Sequence, residues 1–151
     1  MKKTALLLVI ALAGVLVLSG CSQQDQVAER PGPVEITYED GRYRGTFGDD
    51  GYMQVSIQFT LEDNIVTAIN FRHLQYGDEN YRRAEEEPFV SIRGQHEQLI
   101  EYLVGKDIRE SLADLYEPGD IVDDIDGFTG ATIRSSKIIS AIRDGLNRGL
   151  Y

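Results

Sequence analysis

Tryptophan is absent from this 151-residue chain, cysteine occurs once and histidine twice. A single cysteine excludes an intramolecular disulfide. His73 and His96 stand far apart in no metal-ligand spacing, and both read as surface or half-buried side chains. No Cys-His or Ser-His-Asp pattern supplies an activated nucleophile, and no Gly-Lys-Thr loop supplies a phosphate cradle. The acidic run "DIVDDIDG" fails as a calcium loop. Val122 stands where the first ligand belongs and Ile133 where the closing glutamate belongs. Asp123 and Asp124 read as a solvated turn rather than a catalytic pair. Positive charge is also scarce: 15 basic side chains face 25 acidic ones, a net charge of −10. That balance argues against nucleic acid or an anionic lipid surface as a partner. A chain so poorly equipped needs a borrowed cofactor for redox work.

What is present begins at the N-terminus. Lys2 and Lys3 precede an apolar run, Ala5 to Leu18, broken only by a glycine. At 14 residues it falls short of the roughly 20 that span a bilayer. It ends in Leu18-Ser19-Gly20-Cys21, which resembles a bacterial lipobox. Residues 1–20 are therefore expected to be a lipoprotein signal peptide, with the Cys21 thiol taking the lipid. The mature protein is then extracytoplasmic and lipid-anchored to the bacterial membrane. Stable anchoring takes more than one acyl chain, and bacterial lipoproteins carry at least two. Setting aside Lys2 and Lys3 leaves 13 basic against 25 acidic side chains, a net −12. Residues 21–36 read as a tether whose "SQQDQVAERPGP" stretch reaches at most ~40 Å. Residues 37–151 remain for a single small domain.

Val34 to Tyr38 is a candidate short strand, and Arg42 to Phe47 another among glycines that suit turns. Met53, Val55, Ile57 and Phe59 alternate with Gln54, Ser56, Gln58 and Thr60, the period of a strand with one wet face. After a turn at Leu61–Asn64, "IVTAINFRHLQ" reads as its antiparallel partner, with Ile65, Ile69 and Phe71 inward. Tyr76 to Pro88 reads as a charged surface loop. Helical spacing follows from about Phe89, with Leu99, Ile100, Leu103 and Val104 apolar and Gly105 as a stop. A second helix begins behind Asp107 as N-cap, and a third runs from about Ser135 to Asn147 on a stripe of Ile138, Ile139, Ile142 and Leu146, with either serine as its cap. Strands first and helices after predict an α+β fold, an antiparallel sheet with helices packed on one face.

Just ahead of that last helix stands "DGFTGATIRSSK", Asp126 to Lys137. Gly130 and Ala131 leave little bulk around the Thr132 hydroxyl, and a helix start favours a phosphate. The same turn is also how an ordinary helix begins, so spacing leaves both readings open. The segment Asp126-Gly127-Phe128-Thr129-Gly130-Ala131-Thr132 resembles the Asp-x-x-Ser/Thr-Gly-Ala-Thr signature of the FMN-binding domain family. That family includes the flavin subunits of sodium-pumping and Rnf-type membrane oxidoreductases and small extracytoplasmic flavin lipoproteins. "YEDGRYRG" and the following strand pair resemble the family's opening hairpin, and the likeness runs from about Tyr38 to Asn147. Met53-Gln54-Val55 departs from it, standing where the family has a Gly-Gly-Pro-like stretch.

The resemblance implies FMN as cofactor, joined by a flavin transferase through a phosphoester to Thr132. Asp126, Thr129, Gly130 and Ala131 form the recognition motif. It implies an electron-transfer relay between redox partner proteins at the membrane. Tyr76, Tyr81 and Phe128 are candidates to stack on the flavin ring, or equally to pack in the core. The alternatives are a flavin-free solute- or partner-binding lipoprotein and a small extracellular reductase.

Overall fold

The computed structural model describes residues 36–50, 52–122 and 134–151. Cys21, Asp126, Phe128, Thr129, Gly130, Ala131 and Thr132 lie outside them. Four antiparallel strands stand in chain order: β1 (Gly41–Asp49), β2 (Met53–Glu62), β3 (Ile65–Tyr76) and the two-residue β4 (Glu79–Asn80). Helix α1 (Phe89–Glu101) follows, then α2 (Ile108–Ser111), which tightens into 3-10 turns at Leu112–Tyr116 and Pro118–Asp120. Helix α3 (Ser135–Arg148) is the last helix. The architecture is α+β, as the sequence implies.

Period-2 alternation holds along β2. Met53, Val55, Ile57, Phe59 and Leu61 are buried and form the core with Ile138, Ile139 and Ile142 of α3 and Leu99 of α1. On the opposite face stand Gln54, Ser56, Gln58 and Thr60, with Thr46 and Gly48 of β1 opposite Ser56 and Gln54. The alternation fails twice along β3. Leu61 pairs with Val66 while Thr60 pairs with Ala68, so Thr67 is extra; Ile57 pairs with Phe71 while Ser56 pairs with His73, so Arg72 is extra. Each bulge reverses the facing of the residues beyond it. Val66, not Ile65, is therefore the fully buried residue, and Leu74 joins the core while His73 is turned to the polar face.

Four local expectations fail. Ile36 to Tyr38 form no strand; the Tyr38 amide donates to the Asn64 side chain instead of to a ladder. The stretch after Tyr76 is not simply a surface loop. Tyr81, 3 % exposed, is core, stacked on Phe89 at 5.9 Å between centroids. No serine caps α3: the N-cap is Arg134, which makes no side-chain cap bond. Helix α1 also ends sooner than its apolar spacing suggests. Its last turn gives way to bridges that tie Val104 and Asp107 to the start of β3, with Gly105 at φ 79° releasing the chain.

His96 is likewise no surface residue. It is fully buried, its Nδ1–H donates to the Ile92 carbonyl at 2.7 Å, and Phe71 and Tyr81 flank the ring. Its Nε2 has no partner among the described residues. Burial holds its pKa below the ordinary histidine value, and the Ile92 bond offsets only part of that. The unfolded chain therefore takes up a proton at this site before the folded one does, near pH 6.5. The stability owed to neutral His96 is fully present above that pH and is lost as the pH falls below it, by at most about 1.4 kcal/mol per pH unit. Urea midpoints of the wild type are expected to fall between pH 7.5 and 5 more steeply than those of His96→Met. Parallel slopes would assign the acid sensitivity to other groups.

Candidate functional site

The Thr132 motif immediately precedes α3, so the first turn of that helix marks where the motif delivers its chain. Arg134 lies against Tyr76 at the end of β3. Its guanidinium carbon is 4.6 Å from the ring centroid, and an N–H donates to the phenol oxygen at 2.9 Å. Tyr52, 65 % exposed in the β1–β2 turn, is 6.1 Å from Tyr76. One helical turn on, the Lys137 ammonium sits 4.4 Å from the Phe47 ring centroid on β1. The first turn of α3 contains no carboxylate. In a strongly acidic chain, two cations and three aromatic rings thus gather where α3 begins and the β1–β2 hairpin ends. Such a place favours an anion and a flat ring over a cationic ligand.

A cavity of about 500 Å³ opens at the same end of the sheet, on the face away from the helices. Thr46, Gly48, Asp50, Gln54, Ser56 and His73 line it, together with Val55 of the core and Phe47, which packs against the core. Ser56 is 9 % exposed, yet its hydroxyl has no hydrogen-bond partner among the described residues, and neither has His73 Nε2. Ser56 and His73 are direct partners across β2 and β3. Buried polar atoms are normally paired, so two orphans side by side in a cavity mark a place for a polar ligand.

Of the ring-stacking candidates, Tyr76 stands at this end and is half-buried. Tyr81 packs in the core, where burial raises its phenol above the ordinary tyrosine pKa. Sequence reasoning missed the cavity residues Ser56 and His73 and the cation Arg134. The signal that marks His73 is the Arg72 bulge, which no alternation pattern reveals. Among the described residues, no group of three or more His, Cys, Asp or Glu side chains is placed to hold a metal ion. No described helix is long and apolar enough to cross a membrane.

Residues 48–147 match the family model of the FMN-binding domain. Neither a curated protein nor a solved structure matches the chain. The matched segment spans β2, β3, both longer helices and the Thr132 motif, and covers about two thirds of the chain. The residues present fit the cofactor: orphaned polar atoms in a roomy cavity for the polar part of a flavin, and cations at the helix start for its phosphate.

Proposed function

Proceeding from the fact that the chain belongs to the FMN-binding domain family and takes FMN as cofactor, we propose that it is a membrane-anchored extracytoplasmic electron carrier with FMN esterified to Thr132. The observation that carries the reading is the Asp126–Thr132 motif standing directly ahead of a helix whose N-cap is Arg134 and whose first turn bears Lys137 and no carboxylate. Attachment exchanges one phosphate bond for another. The Thr132 oxygen bonds to the FMN phosphorus of FAD, the pyrophosphate bond breaks, AMP leaves, and the hydroxyl proton is released. Asp126, Thr129, Gly130 and Ala131 serve the flavin transferase as its recognition motif.

The bound FMN supplies one- and two-electron chemistry. The polypeptide holds the cofactor and keeps carboxylates away from it at the start of α3. Outside the cell, a dissociated cofactor is lost by diffusion, which gives the covalent bond a purpose. The lipid on Cys21 and the tether of residues 21–36 keep the carrier within reach of redox partner proteins at the membrane.

Intact mass spectrometry of protein from its native membrane tests attachment and anchoring together. The expected mass exceeds the polypeptide from Cys21 onward by one FMN less one water, plus the lipid. A flavin-free mass from cells that flavinylate other proteins would refute the covalent reading. Steady-state turnover with several chemically different acceptors separates a carrier, which shows little selectivity, from a reductase.

A further inference from the structure

We infer that the cavity on the polar face of the sheet receives the pyrimidine edge of the flavin ring, with Ser56 Oγ and His73 Nε2 as its hydrogen-bond partners and the Gln54 amide beside them. The inference rests on FMN as cofactor, and it does not depend on which side chain carries the phosphate.

Three observations converge on it. The first is the pair of orphans. A buried hydroxyl and a buried imidazole nitrogen, each without a partner among the described residues, are costly to keep unless a ligand completes them. Both belong to one cavity and to one register position.

The second is the bulge. Without the extra residue at Arg72, His73 would share the inward facing of Phe71. With it, Phe71 stays in the core opposite Ile57 and His73 turns to the polar face opposite Ser56. Bulges that re-aim one side chain are a recurrent device beside binding sites.

The third is chemical complementarity. The flavin's pyrimidine edge presents two carbonyl oxygens around one N–H. A serine hydroxyl donates and accepts, a neutral imidazole nitrogen does one or the other by tautomer, and a glutamine amide offers a donor and an acceptor side by side. Carbonyl oxygens are disfavoured near carboxylates. The residues of β2 on this face, Gln54, Ser56, Gln58 and Thr60, include none, nor do their partners Thr46, His73 and Gln75; the carboxylates nearby are Asp50, which lines the cavity and is exposed, and Asp144 of α3, which accepts from the Thr46 amide and hydroxyl. Gly48, whose absent Cβ has no heavy atom within 4 Å, leaves the hairpin end of the cavity open for the remainder of the ring.

Riboflavin is the probe, because it has the ring and the ribityl chain but no phosphate to be esterified. In the full-length Thr132→Ala chain, quenching of riboflavin fluorescence is expected to report saturable binding. Adding Ser56→Ala or His73→Ala is expected to weaken it about tenfold or more each. His73→Gln, which keeps a hydrogen-bonding group, is expected to restore most of the affinity, whereas a merely structural role for the imidazole predicts no such rescue. Riboflavin methylated at N3 tests the same edge without altering the protein and is expected to bind at least tenfold more weakly to Thr132→Ala. Equal affinity for the two flavins would place the edge outside the cavity and overturn the proposal. So would unchanged riboflavin affinity in both alanine variants, or no riboflavin binding at all. None of these outcomes bears on the Thr132 ester, which intact mass reads independently.

Discussion

Thr132→Ala, coexpressed with a flavin transferase, is expected to emerge with the mass of the bare polypeptide and, after denaturation and desalting, with no absorbance near 450 nm. The effect is the full range of the measurement, from one flavin per chain to none. A phosphoester needs a side-chain oxygen, and alanine supplies none. The neighbouring hydroxyls do not substitute readily. Ser135 is 8 % exposed and is the first residue of α3, so its oxygen is shielded from a modifying enzyme. Ser136 is exposed but lies inside the helix, where its carbonyl accepts from the Ser140 hydroxyl at 2.8 Å. Thr132→Ser keeps a hydroxyl at the same position and is expected to retain measurable flavin. Thr129→Ala removes a recognition group but not the acceptor, so it is expected to lower the labelled fraction without abolishing it. A Thr132→Ala protein carrying one equivalent of FMN would move the bond to another oxygen and sink the assignment.

The strand of greatest regularity was also the most legible. In β2, strict alternation placed Met53, Val55, Ile57 and Phe59 in the core, and all four are buried there. β3 defeated the same rule because bulges at Thr67 and Arg72 insert residues that periodicity does not announce. The choice of Ile65 over Val66 follows directly, and so does the failure to see that His73 and Phe71 face opposite ways. His96 misled for a different reason. A polar side chain reads as exposed unless its partner is visible, and its partner is a backbone carbonyl, Ile92, one turn back on the same helix. Tyr81 stood open between the flavin ring and the core, and its stacking on Phe89 decides for the core. The flavin motif was legible as a string of residue types. The cavity was not, since it depends on how two strands are registered.

Gly45→Ala is expected to destabilise the fold by about 3 kcal/mol, the upper end of what overpacking costs, enough to lower the melting temperature by roughly 10 °C or more in a domain of this size. A Cβ at position 45 would lie 1.8 Å from the Ala141 carbonyl oxygen and 2.4 Å from the Gly145 nitrogen. These are backbone atoms of α3, so no rotamer change relieves the overlap; the helix itself must move off β1. Gly145 is the matching half of the contact, with a Cβ there 3.0 Å from the Phe59 ring and 3.1 Å from the Gly45 nitrogen. The two glycines let helix and strand approach closely enough for the Thr46 amide to donate to Asp144 at 2.8 Å and for Leu150 to bridge to Tyr43. Gly94→Ala in α1, with nothing within 4 Å of the new methyl, is the control and is expected to gain about 0.5–1 kcal/mol from helix propensity. The displacement also reaches the site. Arg134 is the N-cap of α3 and Lys137 rides on its first turn, and their seats on Tyr76 and Phe47 depend on where that helix lies. Gly45→Ala protein that remains folded at low temperature is therefore expected to flavinylate poorly as well as to melt early. A variant with wild-type melting and wild-type labelling would show that α3 approaches the sheet less closely than described.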